Sequence, residues 1–242
     1  MCAKKIKLKL EKIMCSHEDQ HPKTGMDACD HQSHEQCNIF VEEVQGHMPY
    51  AIFSVAFALA LVSILTASDT VSMRHVTYKL FHNFHYIHLL FAATGTVLTF
   101  RRFSNNKILG ILTGFFVPAT FCTISDAFLP YLGGRLVHLD MELHWCFISH
   151  LDTVLPFLFI GMLNGWLMSR HNINRLTFYS FGFHFMHIFV SSMAAVLYLV
   201  SFGFYDWWNK MGFVFAYLII AVLIPCTLSD IVVPMFFARI KK

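Results

Sequence analysis

Residues 53–65, FSVAFALALVSIL, and 217–225, YLIIAVLIP, carry no polar stripe at helical spacing. A helix on the surface of a soluble protein keeps one face polar at a 3.6-residue period, so these runs belong in lipid. Working outward from them, further apolar stretches are split by short polar connectors. The predicted spans are 49–68, 82–100, 108–131, 150–168, 178–203 and 210–236. Each approaches or exceeds the roughly 20 residues needed to cross a hydrocarbon core of about 30 Å. Composition agrees: 56% of the 242 residues are apolar and 14% charged, against roughly 25% charged in ordinary soluble chains. The sequence therefore predicts an all-α, polytopic membrane bundle of about six transmembrane helices, with the lipid bilayer as its first partner.

Charge is concentrated before the first span, where eight of the fifteen acidic and six of the eighteen basic residues precede Met48. The opening MCAKKIKLKLEKIM has lysines between its apolar residues, so it holds no apolar core of a cleavable signal. The first apolar run is then expected to act as the insertion signal. With six helices and a cytosolic N-terminus, fourteen Lys and Arg fall on the cytosolic side. Four (Arg74, Lys79, Arg135 and Lys210) fall opposite. The positive-inside rule thus predicts a multi-pass protein with both termini cytosolic. The net charge of +3 follows from topology and points to no nucleic acid.

Two signatures occur twice. Phe84-His85-Tyr86-Ile87-His88 returns as Phe183-His184-Phe185-Met186-His187, each followed by small residues (AATGT at 92–96, SSMAA at 191–195) and then Val-Leu. The offset is 99. Cys122-Thr123-Ile124-Ser125-Asp126 with Pro130 returns as Cys226-Thr227-Leu228-Ser229-Asp230 with Pro234, at an offset of 104. His47 and His150 are a weaker third pair. Each unit holds three helices, and an odd number of spans turns the second unit upside down. The result is two inverted three-helix repeats, the arrangement of many secondary transporters, whose sites form near the midplane. The expected organisation is a Cys/His-rich cytosolic tail over 1–46, disordered without metal, and a first repeat over 47–131. A non-cytosolic connector over 132–149 and a second repeat over 150–242 follow.

Ionisable side chains inside a bilayer are costly and face an interior or a watery cavity. His85 and His88 share a helix face, with His82 extending it toward the surface; His184 and His187 do the same. Cys122 lies four residues before Asp126, as Cys226 lies before Asp230. Imidazoles, a carboxylate and a thiol form a chelating set for a divalent transition metal such as Fe, Mn, Zn, Co or Ni. The predicted membrane site is His85, His88, Asp126, His184, His187 and Asp230, with Cys122 and Cys226. Pro118 and Pro225 before the aspartates, and Pro130 and Pro234 after them, predict irregular helix at this depth. Gly110/Gly114 and Gly161/Gly165 permit close helix approach.

Two further ligand-rich stretches stand out. In the connector, His138, Asp140, Glu142 and His144 are predicted to form a cation-collecting entrance, with Asp140 and His144 on one helix face. In the tail, Cys29, His31, His34 and Cys37 supply four zinc-type ligands at a spacing that fits no standard finger. In the reducing cytosol, metal binding is the better reading than cross-linking. Together these features predict a membrane transporter for a divalent transition metal rather than an enzyme, with a homodimer allowed. Two alternatives share the same residues: a haem-binding electron carrier with axial histidines, and an intramembrane metallohydrolase in which Ser125 or Ser229 assists an activated water.

Overall fold

The computed structural model describes residues 25–67, 70–144, 146–170, 176–205 and 207–239, with no side chains described at 25–43, 70–73, 147–148, 176–181 and 207–208. Among the described residues there is helix and no strand. The chain divides into two compact units, Met1–Gly46 and His47–Lys242, and all that follows concerns the second. Helix α1 (Gly25–Thr66) begins within the stretch that composition reads as unstructured without metal. The side chains of Cys29, His31, His34 and Cys37 lie outside the described residues.

The remaining elements are α2 (Thr70–Phe103), α3 (Lys107–Thr123), a π-turn (Ile124–Phe128) and α4 (Leu129–Leu136), then α5 (Cys146–Ser149) and α6 (Leu151–Met168). They end with α7 (Leu176–Ser201), α8 (Trp207–Thr227), a second π-turn (Leu228–Val232) and α9 (Val233–Arg239). Five stretches are long and apolar enough to cross a membrane: Val44–Thr66, Lys107–Leu136, Leu151–Met168, Gly182–Ser201 and Asn209–Arg239. Helix α2 is long enough, but its histidines and basic residues lower its hydropathy. It sits in the middle, packed against α3, α6 and α7.

The distribution of side chains is inverted relative to a soluble protein. Ile64 and Ile108 are 73% and 74% exposed, and Phe53, Ile111, Phe116 and Phe159 also face outward. The polar side chains of His85, His88, Asp126, His187 and Asp230 are buried. An apolar exterior of this extent is a lipid-facing surface. This is a multi-pass membrane protein.

Ring contacts fix the helix directions. Phe81 meets Tyr198, His88 meets His187, and Phe91 meets Phe183. One number rises as the other falls, so α2 and α7 run antiparallel. Tyr86 packs on Phe157, and Thr94 donates to the Gly161 carbonyl at 3.0 Å, so α6 runs parallel to α2. Phe53 packs on Phe185 and Phe57 on Phe189, so α1 runs parallel to α7. The pair Phe53–Phe185 becomes Phe157–Tyr86 under the same offsets (104 and 99) that relate the sequence motifs. The Phe53–Phe185 contact of α1 on α7 is thus matched by the Phe157–Tyr86 contact of α6 on α2.

Glycine sets the closest of these approaches. A β-carbon at Gly161 would stand 2.5 Å from the Leu90 carbonyl oxygen, and one at Gly165 would stand 2.6 Å from that of Thr94. No other residue fits there without moving the backbone of α2.

Candidate metal centre

Both Cys-Thr-x-Ser-Asp motifs end in a single π-turn. The Leu129 N–H reaches back to the Ile124 carbonyl, and the Val233 N–H reaches back to that of Leu228. Pro130 and Pro234 explain why the register slips here, since neither offers an N–H to the carbonyl of the aspartate four residues earlier. The slip rotates Ser125-Asp126 and Ser229-Asp230 inward, where all four residues are buried. Such π-bulges occur frequently at functional sites. The irregularity expected from the prolines is therefore one widened turn within a continuous span.

The two histidine motifs meet at the crossing of α2 and α7. His88 Nε2 lies 2.7 Å from His187 Nε2. Cys122 Sγ and Cys226 Sγ lie 3.7 Å and 3.6 Å from His88 Nε2. His88, His187 and Cys226 present ligand atoms that all lie within 4.8 Å of one another. A tetrahedral ion with bonds near 2.0 Å to nitrogen and 2.3 Å to sulfur spaces N and S by ~3.6 Å and two nitrogens by ~3.3 Å. Cys226 and Cys122 both stand at that spacing from His88 Nε2, the imidazoles need to part by about half an ångström, and Cys122 lies outside the group of three.

The aspartates stand one step behind. Asp126 Oδ2 accepts hydrogen bonds from His88 Nδ1 at 2.7 Å and His85 Nδ1 at 2.8 Å. Its Oδ1 accepts from Ser125 Oγ and Ser191 Oγ, both at 2.8 Å. With the proton held on Nδ1, the lone pair of His88 is on Nε2 and faces the two thiols. This carboxylate–imidazole arrangement orients metal-ligating histidines and raises their basicity. In the second half, His187 Nδ1 lies 2.7 Å from Asp230 Oδ2 but is not aligned for a hydrogen bond. His184 Nδ1 is at 3.6 Å, and Asp230 Oδ1 has no hydrogen-bond partner among the described residues.

Of the eight side chains predicted for the membrane site, His88, His187 and Cys226 converge at its centre, and Cys122 adjoins His88. Asp126 and Asp230 orient them, and His85 and His184 extend the two networks outward. Ser191 is a member that sequence reasoning missed. It lies in the small-residue stretch 191–195, and its only signal there is a hydroxyl where the first repeat has Ala92.

The predicted entrance divides. His144 joins His82 and His150, with ligand atoms within 4.8 Å of one another. Asp140 instead faces Arg135 at 3.5 Å at the surface, and the Glu142 and His138 side chains are exposed. Asp140 and His144 share no helix face, because residues 139–144 are not helical. Helix α4 ends at Leu136 in Gly133-Gly134-Arg135-Leu136, and His138 takes a left-handed φ of 65°, turning the chain away. Burial, with neighbouring His150 and His85, pushes the His144 imidazole below its ordinary range. No protein family, characterised protein or solved structure was found to match this chain.

Proposed function

We propose that this protein carries a divalent transition metal across its membrane, using the imidazole–thiol centre at the α2–α7 crossing. The observation that carries the reading is the meeting of His88 and His187, equivalent residues of two oppositely directed repeats, at a buried point among two thiols. An ion placed there trades its water for imidazole and thiolate, and the buried carboxylates supply compensating charge. Because the ligands come from both repeats, rocking one against the other pulls the set apart and lowers affinity, which is what release requires.

The donor set sharpens the cargo. Two nitrogens and two sulfurs favour Zn, Co, Ni or Fe(II) over Mn. The haem reading gains less support, since axial nitrogens on opposite faces of a metal stand ~4 Å apart and these stand at 2.7 Å. The hydrolase reading has its Ser125 hydroxyl already committed to Asp126 and the Cys122 carbonyl. An even number of crossings with the basic connectors inside keeps both termini cytosolic.

The test is uptake of zinc, iron, cobalt, nickel and manganese into proteoliposomes. His88→Ala is expected to abolish uptake, and Asp126→Ala and Asp230→Ala to reduce it strongly. Wild-type rates in all three variants would defeat the reading.

A further inference from the structure

Away from the centre, three imidazoles from three separate elements meet on the side of the α4–α5 connector. His82 comes from α2, His144 from the non-helical connector, and His150 from the residue before α6. His82 Nε2 and His144 Nε2 are 3.2 Å apart. The ring centroids lie 5.1 Å (His82–His144), 5.2 Å (His82–His150) and 5.6 Å (His144–His150) from one another. Two nitrogens bound to one tetrahedral ion at about 2.0 Å are separated by ~3.3 Å, so this pair already stands at ligand spacing.

The His82 ring and the backbones of His144 and His150 are each held by something outside the trio. His82 Nδ1 donates to the Tyr78 carbonyl at 2.9 Å, which leaves the Nε2 lone pair for a ligand. A backbone carbonyl in that role is a common support behind metal-bound histidine. The connector is clamped by Tyr198 of α7, fully buried, whose Oη accepts from the His144 N–H at 3.1 Å and donates to the Glu142 carbonyl at 2.7 Å. The His150 backbone bonds at both ends, N–H to Cys146 and carbonyl to Val154. A cavity of about 530 Å³, lined by Arg74, His75, Tyr78, Glu142 and His144 among others, opens beside the trio.

We propose that His82, His144 and His150 form a second divalent-metal site, a three-imidazole mouth from which the ion passes inward. Three neutral ligands leave the fourth position to exchangeable water, as in open zinc sites, and add no negative charge. Binding is therefore weaker than at the thiol centre, as suits a point of entry. His85 and His88 follow His82 on the same helix at steps of three residues, each a rise of about 4.5 Å. His85 Nε2 is buried with no hydrogen-bond partner among the described residues, and it lies on the way. The site's role as an entrance rests on the transport reading, but its binding of metal does not.

Cobalt(II) titration of the purified full-length chain separates the two. Tail residues Cys2, Cys15, Cys29 and Cys37, together with Cys146 of α5, are first changed to serine, so that any sulfur-to-cobalt charge-transfer band reports Cys122 and Cys226. The double variant His144→Asn/His150→Asn is expected to bind one cobalt fewer than this background and to keep the charge-transfer band. The retained band shows that the variant is folded. Cys122→Ser/Cys226→Ser is expected to lose the band and keep a cobalt whose visible d–d absorption disappears when His144 and His150 are also changed. Equal stoichiometry with and without His144 and His150 overturns the mouth site and leaves the centre standing. One His144/His150-dependent cobalt with no charge-transfer band in the background chain supports the mouth and overturns the centre.

Discussion

The two repeats carry the same motifs but hold them differently. Asp126 is saturated, with two imidazole donors on one oxygen and two serine hydroxyls on the other. Asp230 has one imidazole close but misaligned, another at 3.6 Å, and a bare second oxygen. The outer helices, each packed on the histidine helix of the other repeat, differ as well. Helix α6 lies against α2 through glycine and a Thr94 hydrogen bond, whereas α1 meets α7 through phenylalanine rings 6.0 Å and 5.6 Å apart. The two ligand sets match in sequence, but one is held stiffly and the other loosely. In a carrier, the stiff half is the natural frame and the loose half the part that yields.

The largest break in that comparison comes from the carboxylates. Losing the partner behind a metal-bound histidine typically costs 10–100-fold in metal affinity. Asp126→Asn should fall near the upper end, since the amide keeps one acceptor oxygen and either the two imidazoles or the two serine hydroxyls lose theirs. Asp230→Asn should fall near the lower end, because His187 is poorly aligned to begin with. Competition titration with a zinc chelator reads both. Equal losses would mean that the asymmetry has no bearing on binding.

Packing gives the next effect. Gly161→Val forces a branched side chain into the Leu90 carbonyl, and overpacking of this kind costs about 1–3 kcal/mol. Phe57 occupies the equivalent place in the first repeat and is 46% exposed, so Phe57→Val should change thermal stability in detergent far less. Similar shifts in the two variants would show that α1 is as tightly seated on α7 as α6 is on α2.

How far these features were legible in the sequence depends on the interaction involved. The spans were readable because lipid imposes apolarity along the whole segment. The duplicated His and Cys-Ser-Asp motifs were readable because polar residues in such segments have few bland explanations. Helix α2 shows the limit: its line of histidines lowers its hydropathy below that of the other spans, and only burial among its neighbours explains its place. Which ligand atoms face one another was not readable. That depends on rotamers and on the π-turns, which turn Asp126 toward Nδ1 and leave Nε2 and sulfur to converge. The trio of His82, His144 and His150 was hidden for a different reason. His144 and His150 follow His82 by 62 and 68 residues, and they meet it where Tyr198 ties the connector down.

The smallest effect is also the sharpest test of the asymmetry, because it exchanges one atom between the halves. Ser191 follows Ala92 at the repeat offset of 99, and its hydroxyl donates to Asp126 Oδ1 at 2.8 Å. The matching oxygen of Asp230 has no donor. Ser191→Ala should therefore make the first half resemble the second. The loss of one hydrogen bond, about 1 kcal/mol, corresponds to roughly a fivefold drop in affinity if it is transmitted through His88. Ala92→Ser makes the opposite change, giving Asp230 a donor from α2, which packs against the second π-turn. It should raise affinity by a similar factor and slow release, so that uptake becomes slower at saturating metal. If Ser191→Ala weakens binding while Ala92→Ser does nothing, the bare oxygen is not what loosens the second half. The cause would then lie in the aromatic seating of α1 on α7, where Phe57 takes the place of the glycine by which α6 locks onto α2.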